Sequence, residues 1–284
     1  MVIARHRLVV LALVALLAAA CSVSRLVYLN APPLALWYIG GYVDMSDTQK
    51  SFLKQRFDHA MAWHRETQLP AYQRTIETLA PKFEGRISTD DARAAYVQAR
   101  DYYHSSLEHL LPDFADFLLM IEPSQVAGIE KKFADDDRKM ARESVRGTPE
   151  DRRLRRAKRF VDEFEDWTGR LSRAQRDLVV SRARTLADNT EERLGDRRYR
   201  QSEILRIVRT KPPRAEAIAT LKRLFIDTDS WRRPEYTKML RDRDDCVIGI
   251  VSELSATLTP EQRAALQRKL HGYANDISSI VATR

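Results

Sequence analysis

Two cysteines, six histidines and 40 carboxylates are the groups in this 284-residue chain with the chemistry to act as nucleophiles, bases or metal ligands. Their spacing argues against that use. His59 and His64, and again His104 and His109, stand five residues apart, about 140° around a helix, so neither pair presents two imidazoles on one face. His64 lies on an apolar seam beside Trp63, where a hydrogen-bonded core histidine is expected. No HExxH, CxxC, glycine-rich phosphate loop or GxSxG segment occurs. Asp135, Asp136 and Asp137, and Asp242, Asp244 and Asp245, offer carboxylates to a cation but lack the glycine and spacing of a calcium loop. They read as solvated surface, with Asp242 and Asp245 pairing locally with Arg243. Arg243 interrupts an apolar seam and is expected to reach the surface along its own stem. Cys246 has no histidine near it in sequence and reads as a small buried hydrophobe. These residues predict no enzyme, no cofactor, no metal site and no small-molecule substrate.

Cys21 is the exception. Met1–Arg7 is cationic, Leu8–Ala20 carries no charged or polar group, and Ala18-Ala19-Ala20 leads directly into the cysteine. A cationic start, a short apolar run and small residues at its exit are the pattern of a secretory signal peptide, and thirteen residues are too few to span a bilayer. A cysteine in that place resembles the lipobox of bacterial lipoproteins, although leucine stands at position 17 where the box has it at 18. The resemblance implies cleavage after Ala20, diacylglycerol (palmitate-type) attachment at Cys21 and a membrane held through that lipid. By the family's sorting rule Ser22 implies the outer membrane, with the body facing the periplasm. Two basic clusters, Arg152, Arg153, Arg155, Arg156, Lys158 and Arg159, then Arg193, Arg197, Arg198, Arg200, Arg206 and Arg209, would suit an anionic partner. Export argues against nucleic acid, and the first cluster runs into Asp162, Glu163, Glu165 and Asp166. An exposed salt-laced helical face is the simpler reading, with lipid headgroups or lipopolysaccharide phosphates as possible contacts.

The elements that must position these groups are helices. Gly and Pro together number only 20, too few turn formers for many short strands. One pattern recurs: Met45-Ser46 with Gln49, Ile87-Ser88 with Asp91, Leu171-Ser172 with Gln175, Leu258-Thr259 with Gln262, and more loosely Ile121 with Gln125. An apolar residue, a hydroxyl and a Gln or Asp three on make a capping box with a hydrophobic staple. Helical seams follow: Leu53, Phe57, Ala60 and His64; Leu154, Ala157, Val161, Phe164 and Leu171; Val179, Ala183, Leu186, Thr190 and Leu194; Tyr236, Leu240, Arg243, Val247, Ile250 and Leu254; Leu266, Leu270, Tyr273, Ile277 and Ile280. The chain is expected to be all-α, with roughly eight amphipathic, mostly antiparallel helices in a bundle or curved helical array. Its organisation reads as a signal peptide (1–20), a lipid-anchored tether with a short aromatic segment (21–45) and a helical domain (46–284). The boxes are 42, 84 and 87 residues apart, inviting a repeat near 42, but the copies align poorly outside the caps.

The run from Cys21 through Trp37-Tyr38, Gly41-Tyr42-Val43-Asp44, Trp63-His64-Arg65 and Gln68-Leu69-Pro70 resembles a family of uncharacterised proteobacterial lipoproteins. That resemblance implies location and all-helical architecture, and no catalytic residues. Leu258-Thr259-Pro260-Glu261-Gln262, and nearly so Leu171-Ser172-Arg173-Ala174-Gln175, is also similar to the LTxxQ motif of Spy-like periplasmic chaperones. The expectation is a non-enzymatic envelope lipoprotein binding envelope or client proteins through helical grooves. The alternative is a structural adaptor contacting an envelope complex, peptidoglycan or lipopolysaccharide.

Overall fold

The computed structural model describes residues 25–282, so the expected signal peptide (1–20) and Cys21 lie outside the described residues. Within them the chain folds into eleven α-helices: α1 (Ala31–Gly40), α2 (Asp47–Trp63), α3 (Leu69–Leu79), α4 (Thr89–Met120), α5 (Pro123–Val145), α6 (Pro149–Thr168), α7 (Arg173–Arg184), α8 (Thr190–Thr210), α9 (Arg214–Phe225), α10 (Pro234–Ser255) and α11 (Pro260–Ala282). No strand occurs among the described residues. The all-α class is the one expected; the count of roughly eight is too low.

Particular residues account for the difference. The seam from Val179 to Leu194 belongs to two helices, because α7 ends at Arg184 and the Asp188 carboxylate accepts from the amide of Thr190, starting α8. Leu154 is 47% exposed, so the buried seam of α6 begins only at Ala157. Gly147-Thr148-Pro149 is a break as expected, and also a capping box: Thr148 Oγ1 accepts from Asp151 N and Asp151 reaches back to Thr148 N. Gly147 sits at φ +81°, where a Cβ would meet Asp151 Oδ2 at 2.9 Å, so only glycine fits. Helices α2 and α3 are joined through a π turn at His64–Gln68. Pro70 supplies a reason: its ring has no N–H and would collide with the carbonyl four residues back, and the widened turn relieves that clash.

Helix α4, 32 residues and about 48 Å long, is the spine, packing against α2, α8, α9 and α10. Around its second half lies the larger core, where Phe117, Leu118, Ile121, Ile207, Leu221 and Leu224 are sealed from solvent. Burying each such side chain contributes about 1.5–3 kcal/mol. Val43 and Met45, on the tether side of Ser46, belong to this core. A second core joins α6, α7, α10 and α11 through Val161, Leu171, Val179, Ile250, Leu254, Leu258, Leu266 and Leu270. Lys211 links α8 to the end of α4. It adopts a left-handed backbone, φ +46°, and its ammonium donates to the carbonyls of Leu118, Leu119 and Ile121, groups that a helix C-terminus leaves free.

The N-terminal segment docks through Tyr28, whose hydroxyl lies 3.2 Å from His64 Nδ1 and within reach of the Met61 carbonyl. Trp63, Tyr72 and Arg65 complete the surroundings, Trp63 and Tyr72 packing on His64 and Arg65 bonding to Tyr28. Burial holds the His64 imidazole below its ordinary value. The folded state therefore favours the neutral ring. Stability from this ring is present above the unfolded value of about 6.5 and is lost as pH falls through the lower folded one. Acidification from about pH 7.5 to about pH 5 should lower the melting temperature of the wild type more than that of His64→Gln, measured by circular dichroism; equal shifts would show that this ring does not report on folding.

Candidate functional site

The two LTxxQ-like segments meet. Gln175 Nε2 donates to Gln262 Oε1 at 2.8 Å, and Gln262 Nε2 donates back to Gln175 Oε1 at 2.9 Å. Each amide nitrogen also donates to the carbonyl five residues before its partner, Gln175 to Thr257 and Gln262 to Arg170, both at 2.9 Å. Each amide oxygen also accepts from its own N-cap amide, Ser172 N at 2.8 Å and Thr259 N at 3.0 Å. Both donors and both acceptor positions of each glutamine are thus used. The hydroxyls of Ser172 and Thr259 close the boxes by accepting from Gln175 N and Gln262 N. Leu171 and Leu258 are buried in the second core beside them.

The same arrangement recurs around the first core. Gln49 and Gln125 exchange bonds at 2.9 and 2.8 Å, and again each donates to the carbonyl five residues ahead of its partner, Met120 and Asp44. Their oxygens accept from Ser46 N and Glu122 N. Met45 and Ile121, the residues preceding these two caps, are buried with them. The repeated unit is therefore a pair of helix starts facing each other, not a stretch of chain with a period of 42. Ser88 caps α4 without such a partner: Asp91 turns to Lys82.

Beside the second pair an apolar groove of about 610 Å³ opens between α6, α10 and α11. Phe160, Phe164 and Trp167 form one wall, Val247 and Val251 the other, with Leu266 and Leu270 along α11. Tyr96 and the pair Arg243–Asp244, 2.7 Å apart, give it a polar edge. Burial, with Asp244 alongside, pushes the Tyr96 phenol above its ordinary value. The Lys269 ammonium lies 4.8 Å from the centre of the Trp167 ring, donating to Asp166. The arrangement suits an apolar chain with a polar terminus or neighbour; it does not bring a nucleophile and a base together. Cys246, half-buried, donates weakly to the Arg182 carbonyl, and burial pushes its thiol up.

Residues 41–237 match the model of DUF6279, a family of unknown function. The chain belongs to that family. The matched region runs from the end of α1 into α10, and so takes in Gln49, Gln125 and Gln175 but not Gln262. Neither a curated protein nor a solved structure matches the chain.

Both arginine clusters of this DUF6279 protein lie in the matched region, and much of their charge is turned to internal use. Arg152 bonds to Asp188 at 2.6 Å, and Arg156 donates to the carbonyls of Leu186 and Ala187, fastening α6 to the turn after α7. Arg155 donates to the Arg146 carbonyl, Lys158 pairs with Asp162 and Arg153 with Glu150, while Arg159 is exposed. In the second cluster Arg197 and Arg198 hold Asp137, and Arg200 holds Asp196 together with Arg232. Asp137 is only 13% exposed and also accepts from Gln201, which corrects its reading as solvated surface. Asp136 accepts from Tyr42 at 2.7 Å and from Lys132. The pairing expected around Arg243 also differs: Asp242 bonds to Lys238 and Asp245 to Arg93, leaving Asp244 for Arg243. Sequence spacing could not show the partners Arg93–Asp245, Arg152–Asp188 and Arg197–Asp137, which are far apart in the chain, whereas Lys238–Asp242 and Lys158–Asp162 are four apart on one helix.

If the amide exchange is a unit, Gln175→Ala and Gln262→Ala should each cost about 2–4 kcal/mol, because each leaves buried donors and acceptors unmatched. The double variant should cost about 1 kcal/mol or more less than the sum of the two, whereas Gln49→Ala with Gln262→Ala should add within about 0.5 kcal/mol. Urea unfolding of the four-member cycles measures both, and strict additivity within the first pair would refute the unit.

Proposed function

We propose that this DUF6279 protein is a non-enzymatic lipoprotein of the bacterial envelope, anchored by acylated Cys21 in the outer membrane and facing the periplasm. In this reading it holds apolar stretches of other proteins, as a chaperone-like or stress-related binder. The observation carrying the binding role is the open groove between α6, α10 and α11: aromatic and aliphatic walls with a charged pair at the edge suit a segment presenting apolar side chains. The similarity of the segments at Leu171–Gln175 and Leu258–Gln262 to the LTxxQ motif of Spy-like chaperones supports the same class. An adaptor role through the α6 arginines has less support, since Arg152 and Arg156 are spent on the fold.

The purified protein should slow aggregation of a chemically unfolded client, followed by light scattering at equimolar ratio. Val247→Asn, in the groove wall, should weaken that protection several-fold while the melting curve stays near wild type. No protection at any salt concentration would end the chaperone reading, and protection indifferent to Val247→Asn would move the site elsewhere.

The anchor has its own check. Cells grown on a radiolabelled fatty acid should label the wild-type chain and not Cys21→Ser, and the variant should leave the membrane fraction; an unlabelled wild type would remove the lipoprotein assignment without touching the groove.

A further inference from the structure

Residues 25–29 are helical and run into α1 through Asn30, whose amide bonds to the Leu26 carbonyl and whose carbonyl accepts from Leu34 N, both at 3.1 Å. Tyr28, Ala31, Pro32, Ala35, Leu36 and Ile39 are half-buried, the helical spacing of a face laid against the body. Tyr28 reaches His64 at one end, and Tyr42 reaches Asp136 just past the other. The opposite face shows Leu26, Val27, Leu34, Trp37 and Tyr38 to solvent, with Trp37 78% exposed and Leu34 50% exposed. No charged residue occurs from Leu26 to Val43. Next to Trp37 and Tyr38, Lys50 and Lys54 of α2 border a cleft of about 1000 Å³, in which Lys132 of α5 also stands, paired with Asp136 at 2.7 Å. The described helices include none long and apolar enough to cross a membrane.

We infer that this uncharged face lies flat in the interfacial layer of a bilayer carrying anionic headgroups, with Leu26, Leu34 and Trp37 at the acyl boundary and Lys50 and Lys54 against headgroup phosphates. Two facts select a bilayer over other occupants. Cys21, the lipid-bearing first residue in the function proposed above, stands four residues before Arg25, so this helix begins next to the membrane anchor. The lysines are also on the same side as the exposed aromatics. That charge repels a second copy stacked about a two-fold axis and attracts phosphate. A helix of this kind, apolar on its free side with tryptophan and tyrosine at one end, matches the way interfacial helices bury a face without spanning. The inference rests on the proposed Cys21 anchor for the helix's nearness to the bilayer, and uses other residues than the groove; because quenching is read on vesicle-bound protein, its failure is distinct from failure of the anchor.

The test is quenching of Trp37 in the full chain reconstituted into vesicles whose lipids carry bromine near the top of the acyl chains. The Trp37 signal is the difference between wild type and Trp37→Phe. In phosphatidylcholine vesicles containing phosphatidylglycerol it should fall several-fold, while emission from Trp63, Trp167 and Trp231, read in Trp37→Phe, stays nearly constant. Phosphatidylcholine alone should quench less, and Lys50→Glu with Lys54→Glu should reproduce that weaker quenching in the anionic vesicles. An unquenched Trp37 on vesicle-bound protein overturns the inference. So does sedimentation showing a dimer that Leu34→Gln, a variant of an exposed residue, dissolves. Quenching indifferent to phosphatidylglycerol overturns the headgroup assignment.

Discussion

A primary amide can give two hydrogen bonds and take two, and enclosing it in apolar surroundings is tolerable only when nearly all of that capacity is used. Each of the two larger cores of this protein has at its edge two glutamines that satisfy each other in that way. The exchange fixes more than itself. Each glutamine ties together its own N-cap, the partner glutamine and the carbonyl that precedes the partner's cap, so two helix starts and the two incoming chains are held at one point. Around each point the residues before the caps, Met45 with Ile121 and Leu171 with Leu258, are driven inward, and the leucines and isoleucines of neighbouring helices close over them. Specificity follows from geometry. An amide partner displaced by one residue would leave several enclosed polar groups without mates, each costing about 1–3 kcal/mol.

Half of this was legible in the sequence. Ser46, Ser88, Ser172 and Thr259 each sit at a helix start because a hydroxyl followed by Gln or Asp three residues on is a local device, complete within four residues. The seams on α10 and α11 were legible for the same reason: 3.6-residue periodicity is a property of one segment. The meeting of Gln175 with Gln262 spans 87 residues, and nothing local announces it. One signal was available. Glutamine at the third position of a box whose preceding residue is apolar predicts a polar side chain on the buried side of the helix start, where it must find a partner. The groove was invisible for a related cause: Phe160, Phe164, Val247 and Val251 each continue a seam that would otherwise be read as core, and only the packing leaves them partly open.

Charge was the least legible feature. A run of basic residues on a helix says nothing about what faces it, and here α6 and α8 use theirs largely to grip neighbouring turns and carboxylates. Exposed ion pairs contribute little, about 0–1 kcal/mol each, but Arg232, Arg200 and Asp196, the last almost sealed from solvent, form a connected set at the junction of α8 with the segment before α10. The lysines offered to an outside partner, Lys50 and Lys54, are fewer, and they stand near α1, away from the clusters that the sequence makes conspicuous.

The widened turn at His64–Gln68 has a mechanical meaning. Helices α2 and α3 form one rod from Asp47 to Leu79 with an extra residue wound into its middle. That residue turns the downstream stripe by about 100° relative to the upstream one, so Leu53 is keyed into the core under α4 while Leu69 and Ile76 are keyed against Ile277 and Ile280 of α11. The rod therefore behaves as a shaft with two offset teeth. Shortening it by one residue would re-index one tooth against its socket and set the front and back of the molecule in conflict.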